Sequence, residues 1–398
     1  MAEPHVRGWV HERFDAVRKA FLDNFRERGE VGAGLVVRHQ GRVVVDLHGG
    51  LADPDTSRHW EPDTPVVTFS ATKGLVAIAC LVLVERGQLA LDEPVATYWP
   101  AFAAHGKAHV TVRQLLNHRA GLPVIDEPLT LEDFADPDRV ATALEAQVPR
   151  WSPGTVQAYG AIAWGAYVSA LFRKVTGQSV GTWFREHLAG PLSLDAWIGS
   201  PPEVAARAAR LLPLTRAERL RHRLPALLVR GPAEGRIFRR FLLGKRTLVG
   251  QALLNPAMGP RRFEALNDPA VLALELPWMG GVCTAEALSR AYAAVIGEVD
   301  GSRLVGPTAV ERLAVRQSWS ERDRVLHKAV GFSQGFVKEA SGLFSPHAAA
   351  FGHPGAGGAL GWADPDTGLA IGYVMNRMDW RIRSPRAIAL TRAAYASL

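Results

Sequence analysis

Cysteine and long hydrophobic runs are scarce in this sequence, and each shortage removes a class of protein. The 398 residues include only two cysteines, Cys80 and Cys283. That is too few for a disulfide framework, and neither belongs to a CxxC or Cys/His metal pattern. This usage predicts a cytoplasmic protein. The longest uninterrupted apolar run, Leu75 to Val84, is ten residues, about half of what a bilayer span requires. It suits a buried core helix. The opening residues, Met1-Ala2-Glu3-Pro4-His5, lead into a mixed-charge stretch with no apolar core of a secretory signal. Apolar residues make up 47%, charged residues 21%, and mean hydropathy is zero. That balance excludes a disordered chain, a collagen-like fibre and a membrane protein. The length suffices for two layered domains or one large one.

The formal net charge of +7 is localised. Residues 207–246 carry twelve Arg or Lys against Glu218 and Glu234, so the rest of the chain is weakly acidic. Such a block can mark an anionic partner. However, Leu211, Leu212, Leu220, Leu224, Leu227, Leu228, Phe238, Phe241 and Leu242 interleave with the arginines at roughly helical spacing. Amphipathic helices with a solvated Arg face are the plainer reading. No RNA- or DNA-binding motif accompanies the charge, so no nucleic-acid partner is expected.

Residues 7–29 read as an amphipathic helix, with Val10, Phe14, Val17, Phe21 and Phe25 recurring every three or four positions. Residues 33–39 and 42–47 flank Gln40-Gly41 as a β-hairpin. Residues 358–362 and 369–375 flank Asp364-Pro365-Asp366-Thr367-Gly368 as a second one. A last helix is expected from about Ser384 to Ala396. Helical patterns dominate from Ser70 to about 190. Strands at both ends with helices between predict an α+β fold, one antiparallel sheet built from both termini with an inserted helical domain. The boundaries so drawn are 1–75 and 270–398 for the sheet domain and 76–269 for the helical one. Within the latter, residues 207–269 form a basic, lid-like segment.

Chemistry concentrates where the most apolar helix begins. Ser70-Ala71-Thr72-Lys73 is a Ser-x-x-Lys pattern. Positions i and i+3 share a helix face, so hydroxyl and amine can meet. A serine hydroxyl is a weak nucleophile until a base takes its proton. A lysine serves as that base only when burial or nearby cations lower its pKa. With sixteen serines and seven lysines, chance alone yields the pattern about 0.3 times in such a chain, so it gains meaning only from context. The alternative is a capping serine beside a surface lysine. Trp151-Ser152-Pro153-Gly154 precedes Tyr159, which the turn holds for proton transfer unless it is simple core filling. Phe351-Gly352-His353-Pro354-Gly355-Ala356-Gly357-Gly358 is dense in glycine, which lets backbone approach a ligand; a bulged strand with a structural histidine is the alternative. Residues 111–123 read as a helix with a Gly-Leu-Pro stop.

Together these segments resemble the serine β-lactamase/penicillin-recognising superfamily, and within it the family VIII carboxylesterases of the EstB type. The resemblance runs in order through Trp60–Lys73, Pro94–Pro100, Val110–Pro123, Pro149–Gly160, Pro191–Asp195 and Phe351–Met378. It implies a β-lactamase-like fold and an acyl-enzyme on Ser70, with Lys73 and Tyr159 sharing the proton. It also implies an oxyanion hole from the Ser70 and Ala356 N–H groups, with His353 and Gly355 as substrate-binding positions. No metal or organic cofactor is implied, and the partner is a small ester. Two departures matter. Ala161 stands where lactamases have Asn, and His353-Pro354-Gly355 replaces Lys-Thr-Gly. Both remove polar groups that hold a β-lactam, so short-chain ester hydrolysis is expected. The other readings are a β-lactamase or D-Ala-D-Ala peptidase, an acyltransferase, and a non-catalytic scaffold. A rival motif, Gly331-Phe332-Ser333-Gln334-Gly335, matches the nucleophile elbow of α/β-hydrolases. Strand-like Phe336-Val337 follows it where a helix is required. Ser333 is therefore expected to be a decoy.

Overall fold

Alternation along two strands organises the molecule. A computed structural model describes residues 5–215, 217–218, 233–259, 261–340 and 342–398. Its strands are β1 (Val6–Val10), β2 (Gly32–His39), β3 (Arg42–Asp53), β4 (Arg58–His59), β5 (Val66–Val67), β6 (Ala196–Ile198), β7 (Gly281–Cys283), β8 (Ser318–Ser320), β9 (Val330–Ser333), β10 (Phe336–Lys338), β11 (Phe351–Pro354), β12 (Leu360–Asp364) and β13 (Leu369–Met375). The main sheet has the antiparallel order β1-β3-β2-β13-β12-β11-β10-β9-β8, with β4 on β3. N-terminal and C-terminal strands meet where β2 pairs β13, with Leu35 opposite Tyr373 and Val37 opposite Ile371. Those four side chains lie in one buried cluster with Phe21 of α1 (Asp15–Glu27). Val36 and Val374, one residue out of phase, belong to the opposite cluster. That cluster contains α2 (Ala71–Glu85) and α4 (Ala285–Ile296), while α5 (Pro385–Ala396) joins α1 on the first face. A period of two with both faces apolar is what a sheet covered on both sides requires.

Helix α2 is buried from Ala71 to Leu83. A helix apolar all round belongs inside the core, as the ten-residue run indicated. A small sheet, β5-β7-β6, lies at its start, so β5 leads directly into Ser70. Helix α3 (Ala163–Thr176) follows the Tyr159 segment. The α+β architecture expected from the sequence is the one observed, including both hairpins and the final helix with Ser384 as its N-cap.

Three local expectations are corrected. The helix read over 7–29 begins only at Asp15, after a short helical turn at Glu12–Phe14. Val10 ends strand β1 opposite Val45. The helix read over 111–123 spans only Val112–Leu116, because the chain breaks at His118 (φ +58°). In the basic block, Leu211 is buried and Leu212 is extended, exchanging backbone hydrogen bonds with Asn376 and Met378. Leu212 is thus tied to the chain just beyond the C-terminal end of the central strand β13. A helix does form over Ala233–Leu242. Leu220, Leu224, Leu227 and Leu228, and the Phe238 side chain, lie outside the described residues.

Candidate active site

Three segments converge at the start of α2. Thr68 donates its N–H and its hydroxyl to the Gly281 carbonyl, and the Gly281 N–H donates to Thr72 Oγ1 at 2.9 Å. Phe69 then takes a left-handed conformation (φ +49°), which costs about 1–3 kcal/mol in a non-glycine residue. Burial of its ring in an apolar cluster holds it there. Ser70 follows at the helix N-cap position, yet its hydroxyl makes no capping bond. Lys73 is completely buried. The pairing of capping serine with surface lysine therefore does not describe this site.

Lys73 Nζ lies 3.4 Å from Ser70 Oγ, 2.8 Å from the Ala161 carbonyl and 3.1 Å from the Trp278 carbonyl. Burial pushes its pKa well below the ordinary lysine value. A neutral amine has two N–H donors and one lone pair. In that form the two carbonyls would take the donors and the lone pair would be left free on the Ser70 side. Burial raises the pKa of the Tyr159 phenol, and the nearby Ser70 side chain works against that rise. Its ring centroid is 5.0 Å from Lys73 Nζ. Ser70, Lys73 and Tyr159 are thus brought together.

Two residues that the sequence reading missed hold Tyr159 in place. The His118 carbonyl accepts the Ala158 N–H at 3.1 Å, and His118 Nδ1 accepts the Gly160 N–H at 3.0 Å. Between them, the Asp323 carboxylate accepts the Tyr159 N–H, with oxygens at 3.0 and 3.1 Å. Three consecutive N–H groups are gripped, so the phenol is aimed by backbone. Burial lowers the His118 pKa well below the ordinary histidine value, which keeps the ring neutral and able to accept. Asp323 is fully buried and its pKa is raised by desolvation, against the hydrogen bonds it accepts from Leu326, Tyr159, Val325 and Gln157.

The glycine-rich segment supplies the other wall. A Cβ on Gly355 would sit 2.2 Å from the Thr68 carbonyl, so only glycine allows β11 to run this close to the Ser70 turn. Ala356 comes next, and its exposed N–H, like that of Ser70, has no acceptor among the described residues. Free N–H donors of this kind suit a developing oxyanion. The His353 side chain is 1% exposed, its Nδ1–H donating to the Pro354 carbonyl at 3.0 Å. Burial, then Lys73, depress its pKa to about 3. It backs the wall as a neutral ring and supplies no cation. Ser333 is buried on β9, and the Gln334–Gly335 turn leads into β10. That is strand-turn-strand, without the helix an elbow needs.

The Beta-lactamase family model matches residues 17–395. The chain belongs to the beta-lactamase family. This family member is 35% identical over 377 residues to the esterase/beta-lactamase LipL of Mycobacterium tuberculosis, an alignment covering 94% of this chain and 83% of that protein. A penicillin-binding protein homologue from Caulobacter crescentus superposes with a TM-score of 0.85 at 34% identity, over 99% of this chain and 100% of that one. A family VIII carboxylesterase gives a TM-score of 0.85 at 33% identity, with the same coverage of both chains. One group of described residues in this beta-lactamase-family chain has cation-binding geometry: His347, Asp364 and Asp366, with ligand atoms within 4.8 Å. It sits at the β12–β13 hairpin. There Asp364 accepts from His347 Nδ1 at 2.7 Å and from the Asp366 N–H at 3.0 Å, so hairpin hydrogen bonds account for it.

Proposed function

We propose that this chain is a serine carboxylesterase that cleaves short-chain esters through an acyl intermediate on Ser70. The observation that carries the reading is the Lys73 amine, fully buried, hydrogen-bonded to two carbonyls and 3.4 Å from Ser70 Oγ. Ser70 attacks the ester carbonyl while Lys73, in concert with Tyr159, takes its proton. The Ser70 and Ala356 N–H groups receive the oxyanion, and the proton then passes to the leaving alcohol. Water, activated by the same pair, frees the acyl group and restores Ser70. The relatives described as esterase/beta-lactamase and as a family VIII carboxylesterase support ester chemistry. Two buried, unpaired cysteines suit a reducing, cytoplasmic setting.

Neutral His353 and apolar Ala161 argue against β-lactams as preferred substrates. An unpaired β-lactam carboxylate and amide in a partly dry site cost a few kcal/mol, or about 10²-fold in rate. The kcat/KM for p-nitrophenyl butyrate is therefore expected to exceed that for nitrocefin by at least about this factor. Comparable values for the two substrates would overturn the ester preference.

A further inference from the structure

The basic block contains a feature the esterase chemistry does not use. Helix Ala233–Leu242 ends in two exposed leucines, Leu242 at 58% and Leu243 at 60%. Exposed large apolar residues are scattered singly elsewhere among the described residues, at Trp9, Val148, Phe263, Val315 and Leu398. Here two are adjacent. Basic residues flank them on both sides: Arg239 and Arg240 in the last helical turn, Lys245 and Arg246 just beyond. Among the described residues no carboxylate pairs with any of these four cations.

The tip is tied to the loop that carries Asp323. Arg236 Nη2 donates to the His327 carbonyl at 2.6 Å, and Thr247 Oγ1 donates to the Arg240 carbonyl at 2.8 Å. The following helix, Leu248–Leu253, packs Ala252 into the same buried cluster as Tyr159, Val325 and Phe332. The loop carrying His327 also carries Asp323, which holds the Tyr159 backbone. Exposed Arg322 and Arg324 extend the positive surface along that loop.

We propose that the segment Phe241–Arg246 is a docking element for an anionic lipid surface, seating the leucine pair among acyl chains and the flanking cations among headgroups. An apolar tip flanked by cations that no carboxylate pairs with among the described residues fits that one partner on both counts. A nucleic acid answers only the charge and leaves the leucines in water. Docking at this point sets the Tyr159 side of the site toward the surface.

Vesicle co-sedimentation of the full chain tests this without reference to catalysis. The protein is expected to bind vesicles of phosphatidylglycerol and phosphatidylcholine at least about tenfold more tightly than vesicles of phosphatidylcholine alone. The double substitution Leu242→Glu with Leu243→Glu is expected to abolish that binding while hydrolysis of soluble p-nitrophenyl butyrate stays at the wild-type level, which shows the fold is intact. Failure to bind anionic vesicles overturns the proposal. So does undiminished binding by the double variant, or retention by duplex DNA in place of vesicles. Loss of ester hydrolysis in the wild type, by contrast, would remove the esterase reading and leave this one standing.

Discussion

At the residue scale, the proposed acyl transfer requires Lys73 to be a base. The free amine is unpopulated at neutral pH for an ordinary lysine of pKa about 10.4. Burial of Lys73 lowers that value, so the fraction of neutral, competent amine rises with pH through a depressed midpoint. The kcat/KM profile is expected to rise through an apparent pKa below the solution value. That midpoint belongs to the coupled Lys73–Tyr159 pair and not to either group alone. Arginine keeps the charge but cannot release its proton, so Lys73→Arg is expected to be as inactive as Lys73→Ala. Wild-type turnover by the Arg variant would make Lys73 an electrostatic partner only. These residues were legible because their side chains carry the chemistry at i, i+3 spacing. The atoms that tune Lys73 were not, since the Ala161 and Trp278 carbonyls have no side-chain signature. Nor does local pattern connect Asp323 to Tyr159, 164 positions away.

At the scale of elements, what matters is how α5 fixes the turn proposed to receive the oxyanion. Arg386 is 1% exposed and its Nη1 pairs with Glu30 at 2.6 Å. Its Nη2 donates to the Gly357 carbonyl at 3.2 Å and the Arg377 carbonyl at 2.7 Å. The Asp379 N–H also donates to Gly357, at 2.9 Å. The Ala356 turn is thus clamped from behind by a buried ion pair. Arg386→Lys keeps the charge opposite Glu30 but loses the planar fork. We expect it to lower kcat about tenfold with little change in KM, as slight misplacement of one oxyanion donor would. Unchanged kcat in a folded variant would remove Arg386 from the positioning role. Hairpins and α2 were readable because turn residues and a ten-residue apolar run are local signals. Strand β1 was not, because Val10 fits the helical spacing of Phe14 and Val17 and its pairing with Val45 is a tertiary choice. Likewise the 111–123 pattern stops early because His118 is recruited to the Tyr159 segment.

Across the whole molecule, buried neutral histidines link stability to pH. His353 has a folded pKa near 3 and His327 one near 4, both lowered by desolvation before the nearby cations contribute. The unfolded chain takes up protons below about 6.5, where the folded state does not. Stability is therefore lost as pH falls from about 6.5 toward 4, by up to about 1.4 kcal/mol per pH unit for each fully buried histidine. Asp323 and Glu30, with raised values, work in the opposite sense just above the ordinary carboxylate range. Denaturant titrations across that window are expected to show a shallower slope for His353→Gln than for wild type. Equal slopes would mean that His353 is protonated in the folded state.

The central claim is that Ser70 is the nucleophile, and the most direct measurement is intact-protein mass after incubation with a fluorophosphonate. The wild type and Ser333→Ala are expected to gain one phosphonyl group each, and peptide mapping should place it on Ser70. Ser70→Ala is expected to gain none. An adduct that persists in Ser70→Ala, or one that disappears in a folded Ser333→Ala, would contradict the account.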